Sequence, residues 1–213
     1  MYNLPYYKEN NAQVIKEFID IHPFAFITGC NSENKPIATQ IPMFMEERDG
    51  KKVLRGHIMK NTDHHLAFED NPNALVVFSG PNTYVSGTWY SNPNTPSTYN
   101  YMSVYISGTI RLLDDKDLID VLRMTTLHFE NNNKASATIY DNLPPTMTEK
   151  LRQAIVAFEI EVEEMDAVFK LSQDRDAVSY RNIISKLSEQ NEDGREIAAE
   201  MEMRMDQVFP KSI

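Results

Sequence analysis

With 213 residues, 41% of them hydrophobic and 24% charged, the chain has the composition of a globular protein able to bury a core without disulfide or metal staples. A formal charge of −10, from 31 acidic against 21 basic side chains, repels nucleic acid and anionic membranes at long range. The single cysteine, Cys30, excludes an intrachain disulfide, the seven glycines form neither a dinucleotide nor a P-loop fingerprint, and no apolar run approaches bilayer length.

The first ten residues lack the basic and apolar regions of a secretion signal, so a cytoplasmic location is expected. Val14, Ile15, Phe18 and Ile19 recur at helical spacing and predict a helix over 11–21, ended by His22-Pro23. Strands are predicted at 24–29, 36–46 and 52–59, with polar turns at 31–35 and 48–51. In the third, period two sets Val53, Arg55, His57 and Met59 on one face and Leu54 and Ile58 on the other. A short helix follows, with Thr62 as N-cap and a stop at Asn71-Pro72.

Segments 74–80 and 83–90 read as a hairpin about Gly80-Pro81-Asn82, and an eight-residue loop leads to a long strand at 99–113. Asp114 or Asp115 caps a helix running to about Phe129, and 131–146 is a polar connector. A short helix at 147–155 precedes a strand at 156–165, where Phe158, Ile160 and Val162 alternate with glutamates. The last forty residues predict helices over 176–188 and 195–208. The fold class is mainly β with α (α+β): an antiparallel sheet or barrel with peripheral helices and a helical C-terminal tail, divided as 1–175 and 176–213.

Three stretches carry chemistry. "RGHIMKNTDHH" (55–65) holds Arg55, Lys60 and three of the five histidines. Its ligand spacing does not suit a metal, and no metal is expected. It reads either as an anion site at a helix start or as a capped helix with solvated charges. "YVSGTWYSNPNTPSTYNY" (84–101) gathers Trp89 with Tyr84, Tyr90, Tyr99 and Tyr101 around a loop, as a ligand pocket or as strand-end packing. "FKLSQDRD" (169–176) is a donor-rich run at a strand end. The two carboxy-terminal helices are acidic, and "EQNEDG" reads as a connector too long for a helix-turn-helix, which argues against direct DNA binding. No catalytic residue is singled out.

Together "HPFAFIT" (22–28), "KPIATQIPM" (35–43), "LRGHIMKN" (54–61), "VFSGPNTYVSGTWY" (77–90), "YNYMSVYISGTIRLL" (99–113) and "VAFEIEVEEMDAVFKLSQDR" (156–175) resemble the PaiB-like family of FMN-binding negative transcriptional regulators. The resemblance implies an FMN-binding split β-barrel, usually a homodimer with the flavin in the cleft between subunits. It implies that Arg55, Gly56, His57, Lys60, Asn61 and Thr62 hold the FMN phosphate. Thr39, Gln40, Ile41 and Pro42 would run along the flavin ring, and Trp89, Tyr99, Asn100, Lys170 and Gln173 would approach the site. Relatives commonly have a tryptophan at the position of Tyr99, a proline at Gly87, and Arg-Ala-Asn-Pro in place of Lys60 to Asp63. An alternative on the same scaffold is a flavin-dependent NAD(P)H oxidoreductase.

Overall fold

The computed structural model describes residues 4–92 and 94–210. Residues 1–3, 93 and 211–213 lie outside it. They include the start of the stretch read for a signal, one residue of the 91–98 loop and the end of the expected tail.

The elements in chain order are β1 (Lys8–Glu9), α1 (Ala12–Ile21), β2 (Phe24–Cys30), β3 (Pro36–Pro42), β4 (Phe44–Arg48), β5 (Lys51–Met59), α2 (Asp63–Asp70) and β6 (Asn73–Val85). Then come β7 (Thr98–Leu112), α3 (Asp115–Phe129), α4 (Pro145–Ala154), β8 (Ile155–Lys170), α5 (Ala177–Ser188), α6 (Glu192–Met203) and α7 (Met205–Val208). This is an α+β chain whose eight strands form one sheet in the order β3-β2-β6-β7-β8-β5-β4, with β1 on β8. Successive strands β3 and β4 stand at opposite ends of that order, one residue apart at the fully buried Met43. The sheet therefore curls until its two ends approach at Met43 without pairing, which is a split barrel rather than a closed one.

The chain divides into two compact units, one of residues 1–15, 79–104 and 166–213, the other of residues 16–78 and 105–165. The second unit is built on β2 to β5 and the adjoining parts of β6, β7 and β8. β2 pairs antiparallel with β3 (Phe26 opposite Gln40) and with β6 (Phe26 opposite Val77). β5 pairs with β4 and with β8 (Arg55 opposite Glu159). Its core includes Ile27, Leu54, Val76, Phe78, Phe158 and Ile160, all fully buried. In the first unit, α5 and α6 pack through Tyr180, Ile183, Leu187, Ile197 and Met201, and the Tyr180 hydroxyl donates to the Met201 carbonyl at 3.0 Å. Residues 177–208 thus belong to the same unit as 79–104 and 166–170.

Helix starts follow the sequence signals closely. Thr62 caps α2 by accepting from His65 N, and Asp114 caps α3 by accepting from Asp117 N. Four expectations need correction. Residues 36–46 form two strands, broken at Met43, because the buried methionine marks the corner where the chain changes sheet ends. The expected hairpin at Gly80-Pro81-Asn82 is one continuous strand, β6. Gly80 does not take the left-handed backbone, and β2 pairs β6 only at 75–77, so the missing N–H of Pro81 costs no bond on that side. The strand expected at 156–165 extends through Lys170. The helix expected from 195 begins at Glu192, capped by Asn191 accepting from Gly194 N, which leaves only Glu189 to Asn191 between α5 and α6. A Cβ on Gly194 would stand 2.9 Å from Gln190 Cβ and 3.1 Å from the Leu187 carbonyl, so glycine permits that tight turn. The argument against a helix-turn-helix from connector length therefore fails, and only the argument from charge remains.

Candidate functional site

In the second unit β5 delivers Arg55, Gly56 and His57, and the turn after it delivers Lys60, Asn61 and Thr62 to the start of α2. Arg55 is 5% exposed. Its guanidinium donates to Glu46 at 3.2 Å and to the Asp117 carboxylate and carbonyl at 3.0 and 3.3 Å, and its buried Nε has no partner. His57 presents a buried Nδ1 without a partner among the described residues, and burial pushes its imidazole below the ordinary value, which favours the neutral ring. Lys60 is exposed, and its backbone N–H donates to the Ala154 carbonyl at 2.9 Å.

Asn61 takes the left-handed backbone, with φ of 62°, which an asparagine tolerates better than most residues. Its N–H donates to His65 Nδ1 at 3.4 Å. The Thr62 hydroxyl donates to the Met59 carbonyl at 2.9 Å and lies 3.0 Å from His64 Nε2. Asp63 is turned to water and accepts from His64 N at 2.8 Å.

Thr39, Gln40, Ile41 and Pro42 sit on β3, which among the described residues is paired only to β2 and so keeps one edge of backbone N–H and C=O groups unpaired by a strand. A Cβ on Gly56 would stand 3.0 Å from the Pro42 carbonyl and 2.8 Å from the Phe158 ring. Glycine at 56 therefore lets β5 approach β3, and the structure brings the 39–42 and 55–57 segments together.

The remaining expected residues lie in the first unit. Lys170 is 5% exposed and donates to the Thr98 hydroxyl and, at 2.6 Å, to the Tyr99 carbonyl. Desolvation holds its ammonium below the usual lysine value. Asn100 is fully buried between Ser172, whose hydroxyl donates to it at 2.9 Å, and Met201. The Gln173 amide closes its own turn, donating to the Phe169 carbonyl at 2.6 Å and accepting from Leu171 N at 2.7 Å. Trp89 is half-buried and its carbonyl accepts from Asn182 at 3.2 Å, whereas the Tyr99 ring is exposed and meets Tyr84 edge-on at 5.8 Å. Lys170, Asn100 and Gln173 thus come together with Tyr99, and Trp89 belongs to the separate turn before Tyr90. Ser172, held at φ of 63°, ties that cluster together, and nothing in its local sequence signals the left-handed turn.

A polar cleft of about 540 Å³ on the second unit lies over Glu159, which Arg48 and Arg111 grip at 3.0 and 2.9 Å. Burial alone would raise the Glu159 carboxyl, but those two guanidinium bonds outweigh it and hold the group below the usual carboxylate range. The cleft's charges satisfy one another, with Lys51 on Glu161 at 2.6 Å.

The family described as "Putative FMN-binding domain" matches residues 1–164. The chain belongs to this family. Over 206 residues, 96% of this chain and 98% of the relative, the FMN-binding chain is 32% identical to the protease synthase and sporulation protein PAI 2 of Bacillus subtilis. It is a PaiB-like, flavin-binding protein. Among solved structures, the flavocytochrome Anf3 from Azotobacter vinelandii matches with a TM-score of 0.60 and 16% identity, over 79% of this chain and 72% of that one. The FAD and heme binding protein from Mycobacterium smegmatis matches with a TM-score of 0.59 and 17% identity, over 77% and 73%. At these identities the likeness shows the split-barrel fold.

The residues of this PaiB-like chain fit FMN. The unpartnered Nδ1 of His57 and the exposed cation of Lys60, on the segment leading into α2, are polar groups of the kind that suit a phosphomonoester. The open edge of β3 offers backbone groups to a flat heterocycle.

Proposed function

We propose that the chain works as a homodimeric, FMN-binding regulator of transcription that acts without gripping DNA itself. The observation that supports the flavin site most strongly is the buried Nδ1 of His57, unpartnered among the described residues, on the strand that leads into the Lys60–Thr62 turn. In this reading the Lys60 ammonium holds the phosphate at the start of α2, with His57 as a second polar contact from β5. Arg55 contributes through its grip on Glu46 and Asp117, which shapes β5. Thr39 to Pro42 run along the ring, and Gly56 keeps the two segments close. When bound, the flavin supplies hydride or one-electron chemistry; the residues described here bind and orient it.

The regulatory part rests on the resemblance of the sequence to the PaiB-like negative transcriptional regulators; the Bacillus subtilis relative is named for protease synthesis and sporulation. The outward residues of α6 include Glu192, Glu196 and Glu202 against Arg195, a surface that repels phosphate backbones and supports action through a partner or metabolite. Dimerisation is supported by one open apolar sheet face on the second unit, where Phe24, Phe26 and Leu75 are 57%, 41% and 40% exposed. No helix among the described residues is long and apolar enough to cross a membrane, and a cytoplasmic site of action is part of the proposal.

Equilibrium dialysis against FMN tests the site. Lys60→Ala should weaken binding about tenfold, the worth of one charge-assisted phosphate contact, with the thermal midpoint unchanged. Wild-type affinity in that variant would remove Lys60 from the phosphate site.

A further inference from the structure

His65 is a buried histidine, 7% exposed, to which the flavin reading above gives no part, and the inference drawn from it rests on that reading. It is the third residue of α2 after the Thr62 cap, the position from which a Glu or Gln side chain commonly reaches back to a free N–H at a helix start. His65 does this one residue further out. Its Nδ1 accepts from Asn61 N at 3.4 Å, while its own N–H donates to the Thr62 hydroxyl, also at 3.4 Å. That hydroxyl donates in turn to the Met59 carbonyl at 2.9 Å. The end of β5, the turn and the start of α2 are thereby closed by their own bonds.

Lys60 stands inside this closure. The peptide unit before it is held through its N–H, on the Ala154 carbonyl at the end of α4. The peptide unit after it carries the Asn61 N–H that His65 holds. The Lys60 Cα thus lies between two pinned peptide planes, and its side chain extends into water. Asn61, with φ of 62°, is the costly conformation of the turn, and such a backbone persists only where its surroundings hold it. All these residues belong to the second unit. The bond also sets the state of the ring, because Nδ1 accepts only when it carries no proton, which leaves a neutral imidazole protonated on Nε2.

We infer that His65 is a positioning residue for the flavin phosphate: by accepting the Asn61 N–H it holds the turn that presents the Lys60 ammonium. It does not touch the cofactor, and its contribution passes through Lys60. That contribution is therefore confined to the phosphorylated flavin, and riboflavin, which has no phosphate, gains nothing from it.

Titration of the full-length chain with FMN and with riboflavin, read by flavin fluorescence, tests this. His65→Leu removes the acceptor; it should weaken FMN about fivefold, in the range of one lost hydrogen bond, and leave riboflavin within about twofold. His65→Asn, whose Oδ1 replaces Nδ1 as acceptor, should bind FMN within about twofold of wild type. Added to Lys60→Ala, His65→Leu should cause no further loss, since both changes disable the same contact. Wild-type FMN affinity in His65→Leu overturns the inference. So does an equal loss of riboflavin, a His65→Asn as weak as His65→Leu, or losses that multiply in the double variant. If His65→Leu does not fold, imidazole nitrogen NMR of the wild-type chain decides. The His65 signals, identified by their absence from His65→Asn, should show a bare Nδ1 and a protonated Nε2, and a proton on Nδ1 overturns the inference. A wild-type chain that binds FMN no more tightly than riboflavin overturns the phosphate reading and this inference with it, and that outcome is seen before any variant is compared.

Discussion

Arg55 and His57 sit two residues apart on β5, and burial treats them differently. Arg55 keeps its charge because Glu46 and Asp117 meet it, so Arg55→Met strands the Glu46 carboxylate and leaves Asp117 only Arg48 at 3.5 Å, both carboxylates being about one-third exposed. The cost is reduced below that of a fully buried broken pair by water at the carboxylates, to about 2 kcal/mol. Urea unfolding should show it as a lower midpoint at unchanged slope. An unaltered midpoint would mean the pairs contribute nothing. His57 meets no counter-charge, and burial lowers its folded value below the ordinary histidine value near about 6.5. The unfolded chain therefore takes up a proton first as pH falls, so stability present at pH about 7 is lost progressively below pH about 6.5. In His57→Gln the decline of the thermal midpoint between pH about 7 and about 5 should be shallower. Equal slopes would show that His57 is not the group responsible. The sequence displays Arg55 and His57 as donors on one face of a strand, but the acidic partners of Arg55 come from β4 and α3. Asp117 stands 62 positions away from Arg55, a pairing that no local pattern announces.

Element boundaries were legible where one residue type carries the signal, and hidden where tertiary packing carries it. Thr62 and Asp114 announce their helices because a side-chain oxygen must satisfy orphan N–H groups at a helix start. Gly80-Pro81-Asn82 has hairpin chemistry, yet β6 runs straight through it, with Gly80 outside the left-handed region. "EQNEDG" looks like a polar loop, yet Asn191 caps α6 from inside it and Gly194 lies in a helical turn against α5. Asn191→Ala should cost about 1 kcal/mol, the usual worth of an N-cap, seen as a lower denaturation midpoint. A loss below a few tenths of that would show that packing against α5 holds the helix start unaided.

On the scale of the whole chain, the acidic balance supports the proposal that it acts without gripping DNA itself. The open face of β2 is the surface the dimer proposal uses. Phe26→Glu places a charge at its centre, directly across from Gln40 and Val77, and light scattering should then report a monomer. A dimer of unchanged stability would move the interface elsewhere. The family match over residues 1–164 makes flavin binding the property on which the other proposals depend. The most direct measurement is the visible absorbance spectrum of the purified full-length chain after incubation with FMN and removal of free ligand. The account predicts a protein-bound flavin spectrum, with FMN released on denaturation. A colourless protein that retains no FMN would contradict it.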